Sequence, residues 1–267
     1  MNGSLFARTV AWQRARLIVV VLAAFGWGVL IPIFYTGFSD VVRDLANSGA
    51  FPEELLSFGS GSLFSLPGAV TLGLQHPFAI SLLGIFAAGA TATAIAGERQ
   101  RGTLEVLLAR PLSRRSVYVS IGLALLLAVA LVLAALLGGF VTGAATQGVL
   151  DDLSVEHLPM VFLNGFLLWG AFATFGMAAS VSFDRTGPAI GLSLAYLLVN
   201  YFFEILGSLW TDAEWTQEYS LFHHWQPAEI LQGALDPIDL VIVGVAFLLP
   251  IVYALVVFPR RDLAAPS

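Results

Sequence analysis

The amino-acid sequence predicts an all-α integral membrane protein with six transmembrane helices and both termini on the cytoplasmic side. Three observations carry this. The 267 residues are 58% hydrophobic and only 11% charged. An ordinary soluble domain carries about 25% charged residues, so lipid must replace water over much of this surface. Six apolar segments each approach or exceed the ~20 residues a helix needs to cross the hydrocarbon core. Eleven of the twelve arginines fall in segments that six spans place on one side, and thirteen of the eighteen carboxylates fall on the other. Loops rich in positive charge stay in the cytoplasm, which orients the chain.

Missing residue types narrow the chemistry. There is no cysteine, which excludes disulfides, thiolate nucleophiles and cysteine-based zinc sites. There is also no lysine; all twelve Lys or Arg positions are arginine. A P-loop ATPase needs a lysine on the β- and γ-phosphates, and a Schiff-base enzyme needs a lysine amine. If ATP drives this protein, another polypeptide hydrolyses it.

The elements follow in order. In residues 4–16, Leu5, Thr9, Trp12 and Arg16 recur at helical spacing. Trp12 is an interface-seeking side chain, so this stretch predicts a short helix lying on the inner surface. The first span follows at 17–37. Its uncharged run extends to residue 39, longer than the roughly 7–15 residues of a signal-peptide core, so it is expected to be retained. Residues 38–74 form an outer loop with Asp40, Arg43, Asp44, Glu53 and Glu54, and its Ser57-Phe58-Gly59-Ser60-Gly61 stretch reads as loop. The remaining spans are placed at 75–97, 116–142, 158–183, 188–209 and 240–258. The long segment 211–239 holds Trp215, Tyr219, Phe222 and Trp225 among acids and Pro227. It predicts short amphipathic helices dipping back into the outer interface.

The loop 98–115 carries the most information. Thr103 can cap a helix, with Glu105 in its first turn, Arg110 in its last and Pro111 as its stop. About two turns result, over residues 104–110. Leu104, Leu107 and Leu108 share one face by i, i+3, i+4 spacing. So short a helix is marginal alone, and its leucine face must dock either on the bundle's inner end or on a cytoplasmic partner.

Glu98, Gly102-Thr103-Leu104-Glu105, Leu107-Leu108 and Arg110-Pro111-Leu112-Ser113-Arg114 resemble the corresponding segment of the ABC-2 type permeases, the transmembrane subunits of ABC exporters. Chain size, six spans, an N-terminal interfacial helix and a long outer segment before span six are similar too. So is the aromatic-histidine stretch Phe222-His223-His224-Trp225-Gln226-Pro227. The resemblance implies that the loop is a coupling helix contacting a cytoplasmic ATP-binding subunit. The docking residues it implies are Glu98, Arg99, Arg101, Gly102, Thr103, Leu104, Glu105, Leu107, Leu108 and Arg110. It also implies two ATP-binding subunits that carry ATP and Mg, a second permease copy in a homodimer or heterodimer, and residence in a prokaryotic cell membrane. No cofactor, metal or nucleic acid is expected on this chain.

Glu204 is the one carboxylate inside a predicted span, with Asn200 and Tyr196 on the same face. The stripe either lines a translocation path or reaches the headgroups. The path reading would suit a self-sufficient secondary transporter or channel, the principal alternative function. His223 and His224 lack a third ligand at a fixed spacing and read as interface residues, as do Gln75 and His76. Gly139-x-x-x-Gly143 and Gly187-x-x-x-Gly191 permit close helix contact, within one bundle or between copies. Ser60 between two glycines has no histidine placed beside it to act as a base.

Overall fold

The computed structural model describes residues 1–48, 57–58, 61–62 and 64–261. Glu53, Glu54, Ser60 and Asp262 lie outside them, and the side chains of Asp40 and Arg43 are likewise not described. The chain is a helical bundle. Among the described residues five helices are long and apolar enough to cross a membrane, and a bent pair meets the same test when its two helices are taken together.

Helix α1 (Gly3–Asn47) runs unbroken through the predicted interfacial stretch and first span. No separate helix at 4–16 exists, because nothing in residues 14–20 breaks a helix: the stretch lacks Gly and Pro. Forty-five residues extend ~67 Å, about twice the hydrocarbon core, so α1 projects beyond it.

Residues 57–58 and 61–62 pair as a minimal antiparallel hairpin, Ser57 opposite Ser62. The predicted outer loop then ends early, at helix α2 (Leu66–Gln75), which is almost wholly buried. Ser65 caps α2, accepting from the Gly68 N–H at 3.2 Å, and Pro67 sits in the first turn. Helix α3 (Pro77–Thr93) follows at a bend of 51°. The cause is Pro77: a residue before proline is driven out of the α region. His76 accordingly has ψ 139°, and its Nδ1 accepts the Phe78 N–H at 3.1 Å to cap α3. Helix α3 occupies most of the segment 75–97 expected for span two, and the buried α2 precedes it across the bend where the sequence suggested loop. A π-helical turn at Ile85–Ala90 interrupts α3.

After α3 come the short helices α4 (Ala96–Gln100) and α5 (Thr103–Leu108). Helix α6 (Arg114–Gln147) is capped by Ser113, which accepts from the Ser116 N–H, and ends at Gly148 in the left-handed region, φ 72°. Helices α7 (Leu158–Ser182), α8 (Thr186–Leu209) and α10 (Pro237–Arg260) match spans four, five and six closely. Between α8 and α10 lie 3₁₀ turns at Thr211–Tyr219 and Leu221–His224 and helix α9 (Pro227–Leu231).

Helix α6 is the spine. Its Gly139 and Gly143 face α1, and a Cβ on Gly139 would overlap the Phe25 carbonyl oxygen and crowd Gly28 Cα at 2.9 Å. This glycine pair serves packing within the bundle. Gly187 and Gly191 face open space.

Candidate functional site

The arginine-rich segments converge at one end of the bundle, around α4 and α5. Gly102 introduces α5 with φ 70°, a conformation that favours glycine. Thr103 does not cap the helix. Its Oγ1 instead donates to Glu98 Oε2 at 2.7 Å and stands 3.1 Å from the Glu98 carbonyl. Arg101 Nη2 meets Glu98 Oε1 at 2.7 Å, and its guanidinium lies over the Trp12 ring at 5.4 Å. Both Glu98 oxygens are thus engaged, and the turn between α4 and α5 is locked.

Of the two docking surfaces open to the leucine face, the bundle's inner end is the one it packs on in this chain. Leu104 and Leu107 are 2% and 7% exposed and belong to the bundle's own core, with Leu108 packed behind them. A leucine row is removed from water most completely by packing inward, into the core cluster that also holds Leu5 and Val117. What α5 shows outward is Thr103, Glu105 and Val106, with Val106 68% exposed, followed by the exposed Ala109 and Arg110 just beyond its end.

Further contacts bind this end together. Asp184, in the turn between α7 and α8, pairs with Arg99 of α4 at 3.1 Å and with Arg261 beyond α10. Burial lowers the Arg261 pKa, with Asp184 opposing, and the guanidinium stays charged. Arg114 Nη1 donates to the Arg261 carbonyl at 2.6 Å, and Gln100 Oε1 accepts from the Thr186 N–H and hydroxyl. Ser180 Oγ accepts both the Ile95 and Ala96 N–H groups, at 2.8 and 2.9 Å, stitching the gap between α3 and α4 to α7. The Asp184 and Ser180 links join residues 77 or more apart in sequence, so no local pattern announces them.

At the opposite end lies the polar stripe on α8. Glu204 is 2% exposed, and its Oε1 accepts from Gln217 Nε2 at 3.2 Å. Asn200 Oδ1 accepts the Leu221 N–H at 2.8 Å, and its carbonyl accepts the Ser220 hydroxyl at 2.9 Å. Tyr196 stacks on Phe175 at 4.1 Å between ring centres. The stripe holds the 211–225 segment against α8, and Asn200 and Glu204 are buried beneath that segment. The segment itself is divided: Trp215 and Tyr219 face outward, whereas Phe222 and Trp225 are fully buried against Trp169 and Phe172. It plugs the bundle rather than resting on an interface. His224 Nδ1 meets Asp239 Oδ1 at 2.8 Å, and His223 and His224 do not join a cluster of three metal-ligating residues among the described residues.

Beside this plug, a cavity of about 610 Å³ opens between α1, the α2–α3 break and α8. Trp27, Phe34, Tyr35 and Phe38 form one wall. Gln75 lines it too: its Nε2 donates to the Trp225 carbonyl at 3.4 Å, while its buried Oε1 has no partner.

A family model described as ABC-2 family transporter protein matches residues 8–263. The chain belongs to this family. It is a multi-pass membrane protein and a permease subunit of an ABC transporter, a class that works in the bilayer with an ATP-binding partner. The six-segment pattern and the motif around Gly102-Thr103-Leu104-Glu105 thus lead to the same family as the whole-chain match. A search of curated proteins finds no match.

Proposed function

We propose that this ABC-2 permease forms half of an exporter for hydrophobic or amphipathic molecules, powered by ATP bound with Mg on two separate cytoplasmic subunits. A second permease, identical or related, completes the pathway. The arginine-rich end faces the cytoplasm of a prokaryote, with both termini inside, and this chain hydrolyses nothing itself. The supporting observation is the rigid mounting of α5. Its leucines are anchored in the core, its turn is locked by Glu98, Arg101 and Thr103, and Val106 and Arg110 are left outward. A lever must be fixed to what it moves and exposed to what pushes it. Force on Val106 would pass through Leu104 and Leu107 to α6, and through Glu98 to α3. That helix, bent away from α2 and interrupted by its π-helical turn, suits an element with two packings that a partner can bias. The aromatic cavity with its single unpartnered amide oxygen supports the cargo class.

The test uses the permease assembled with its ATP-binding partner in lipid nanodiscs. Val106→Asp combined with Arg110→Glu should lower permease-stimulated ATP turnover by about tenfold, ~1.4 kcal/mol of coupling, without changing membrane insertion. Undiminished turnover would overturn the assignment of α5 as the docking element.

A further inference from the structure

A second cavity, of about 540 Å³, lies at the arginine-rich end between α1 and the α3–α5 region. The path of α1 explains it. The Asn2 N–H donates to Ser120 Oγ at 2.7 Å, and further along Gly28 abuts Gly139. Helix α1 spends twenty-six residues between these two contacts and α6 only nineteen. At ~1.5 Å per residue the two paths differ by about 10 Å, so this part of α1 cannot lie flush and parallel on α6. The cavity occupies the space beside it.

Its lining changes character with depth. Arg8, Trp12, Glu98 and Arg101 form one part of the wall. Ala90, Ile121 and Leu125 form another, on the apolar α3 and α6. The charge balance is positive: Glu98 is occupied on both oxygens by Arg101 and Thr103, while Arg8 makes no ion pair among the described residues. Trp12 beside Arg8 is a side chain suited to the headgroup level.

We propose that this cavity is a binding site for one anionic phospholipid, drawn from the leaflet on the arginine-rich side. The phosphate meets Arg8, the headgroup region rests against Trp12 and Arg101, and an acyl chain lies along Ile121 and Leu125. A zwitterionic lipid fits the same apolar surface but brings its own cation to Arg8. The site is separate from the aromatic cavity at the far end, and it places a lipid against the α4–α5 turn.

The test is native mass spectrometry of the full-length permease in detergent, titrated with phosphatidylglycerol and with phosphatidylcholine of the same chain length. The expected result is preferential retention of one phosphatidylglycerol. Arg8→Gln should lower that retention about fivefold, the factor for one arginine near an anionic headgroup, and leave phosphatidylcholine unchanged. Arg16→Gln, the same charge change two turns on but away from the cavity, should change neither. Equal retention of both lipids, or an equal loss in both variants, would overturn the site in favour of diffuse surface charge. Displacement of the lipid by millimolar inorganic phosphate would overturn the lipid as occupant in favour of a free anion. No ATP-binding partner enters the measurement, so its outcome is independent of the docking proposal.

Discussion

Gln217 reaches back across the outer turn to donate a hydrogen bond to Glu204 at 3.2 Å. The pair joins the 3₁₀ segment at Thr211–Tyr219 to α8, with Glu204 buried beneath it. Truncating either partner strands the other's polar group in the interior, at about 1–3 kcal/mol. The expected outcome for Glu204→Ala or Gln217→Ala is a fall in thermal midpoint. The double variant should be less damaging than the two single losses added, with a coupling of at least ~0.5 kcal/mol. Strict additivity in thermal melts of the purified permease would show that the pair does not hold the segment.

Spans three to six were legible because each is a long apolar run, but their ends were not: α6 runs on past 142 to the left-handed Gly148, and α10 starts before 240, after the Asp236 cap. Helix α2, before the bend, was missed because its ten residues are too short to register in a span-length hydropathy window; Pro77 and the Ser65-Leu66-Pro67 start were the available signals. The short helix after Gly102 was legible from its stop and periodicity, but periodicity says only that leucines share a face. Whether Leu104 turns to the bundle or to a partner depends on core residues such as Leu5, which is far away in sequence. Gln217 on Glu204, Ser180 on Ile95 and Asp184 between two arginines depend on tertiary approach, and no spacing rule reaches them.

The contact between α1 and α6 rests on backbones that only glycine permits. A Cβ at Gly28 would overlap the Leu136 carbonyl oxygen, and one at Gly139 the Phe25 carbonyl oxygen. Gly139→Leu should therefore destabilise the bundle by about 1–3 kcal/mol or more through overpacking. Gly187→Leu, at a glycine with nothing within 4 Å, should leave the isolated permease unchanged. Thermal melts in detergent compare the two; equal losses would contradict the packing difference.

Asp184 is half exposed, with 47% of its side chain accessible, although it serves both Arg99 and Arg261. Screening by water limits what such a network adds to stability, so Asp184→Asn should cost less than ~1 kcal/mol. Its effect should be local: without the carboxylate, the end of α10 loses its tie to α4. Hydrogen–deuterium exchange should accelerate around residues 258–261 while α6 remains protected. A global loss of protection would mean that the network supports the whole bundle.

Ser180 concentrates a larger effect in one atom. Its buried Oγ accepts two backbone N–H groups, from Ile95 and Ala96, at the point where α3 ends and α4 begins. Neither donor has another partner in a continuous helix, because the helix is interrupted there. Ser180→Ala removes the acceptor and leaves two buried donors unpaired, each costing about 1–3 kcal/mol. The thermal midpoint should fall more than for Asp184→Asn, although the latter removes a formal charge. Ser180→Thr keeps the oxygen and should recover part of the loss. If Ser180→Ala melts with the unmodified protein, the interrupted span has another means of satisfying those amides, and the stitch between α7 and the α4–α5 region is not what holds it in place.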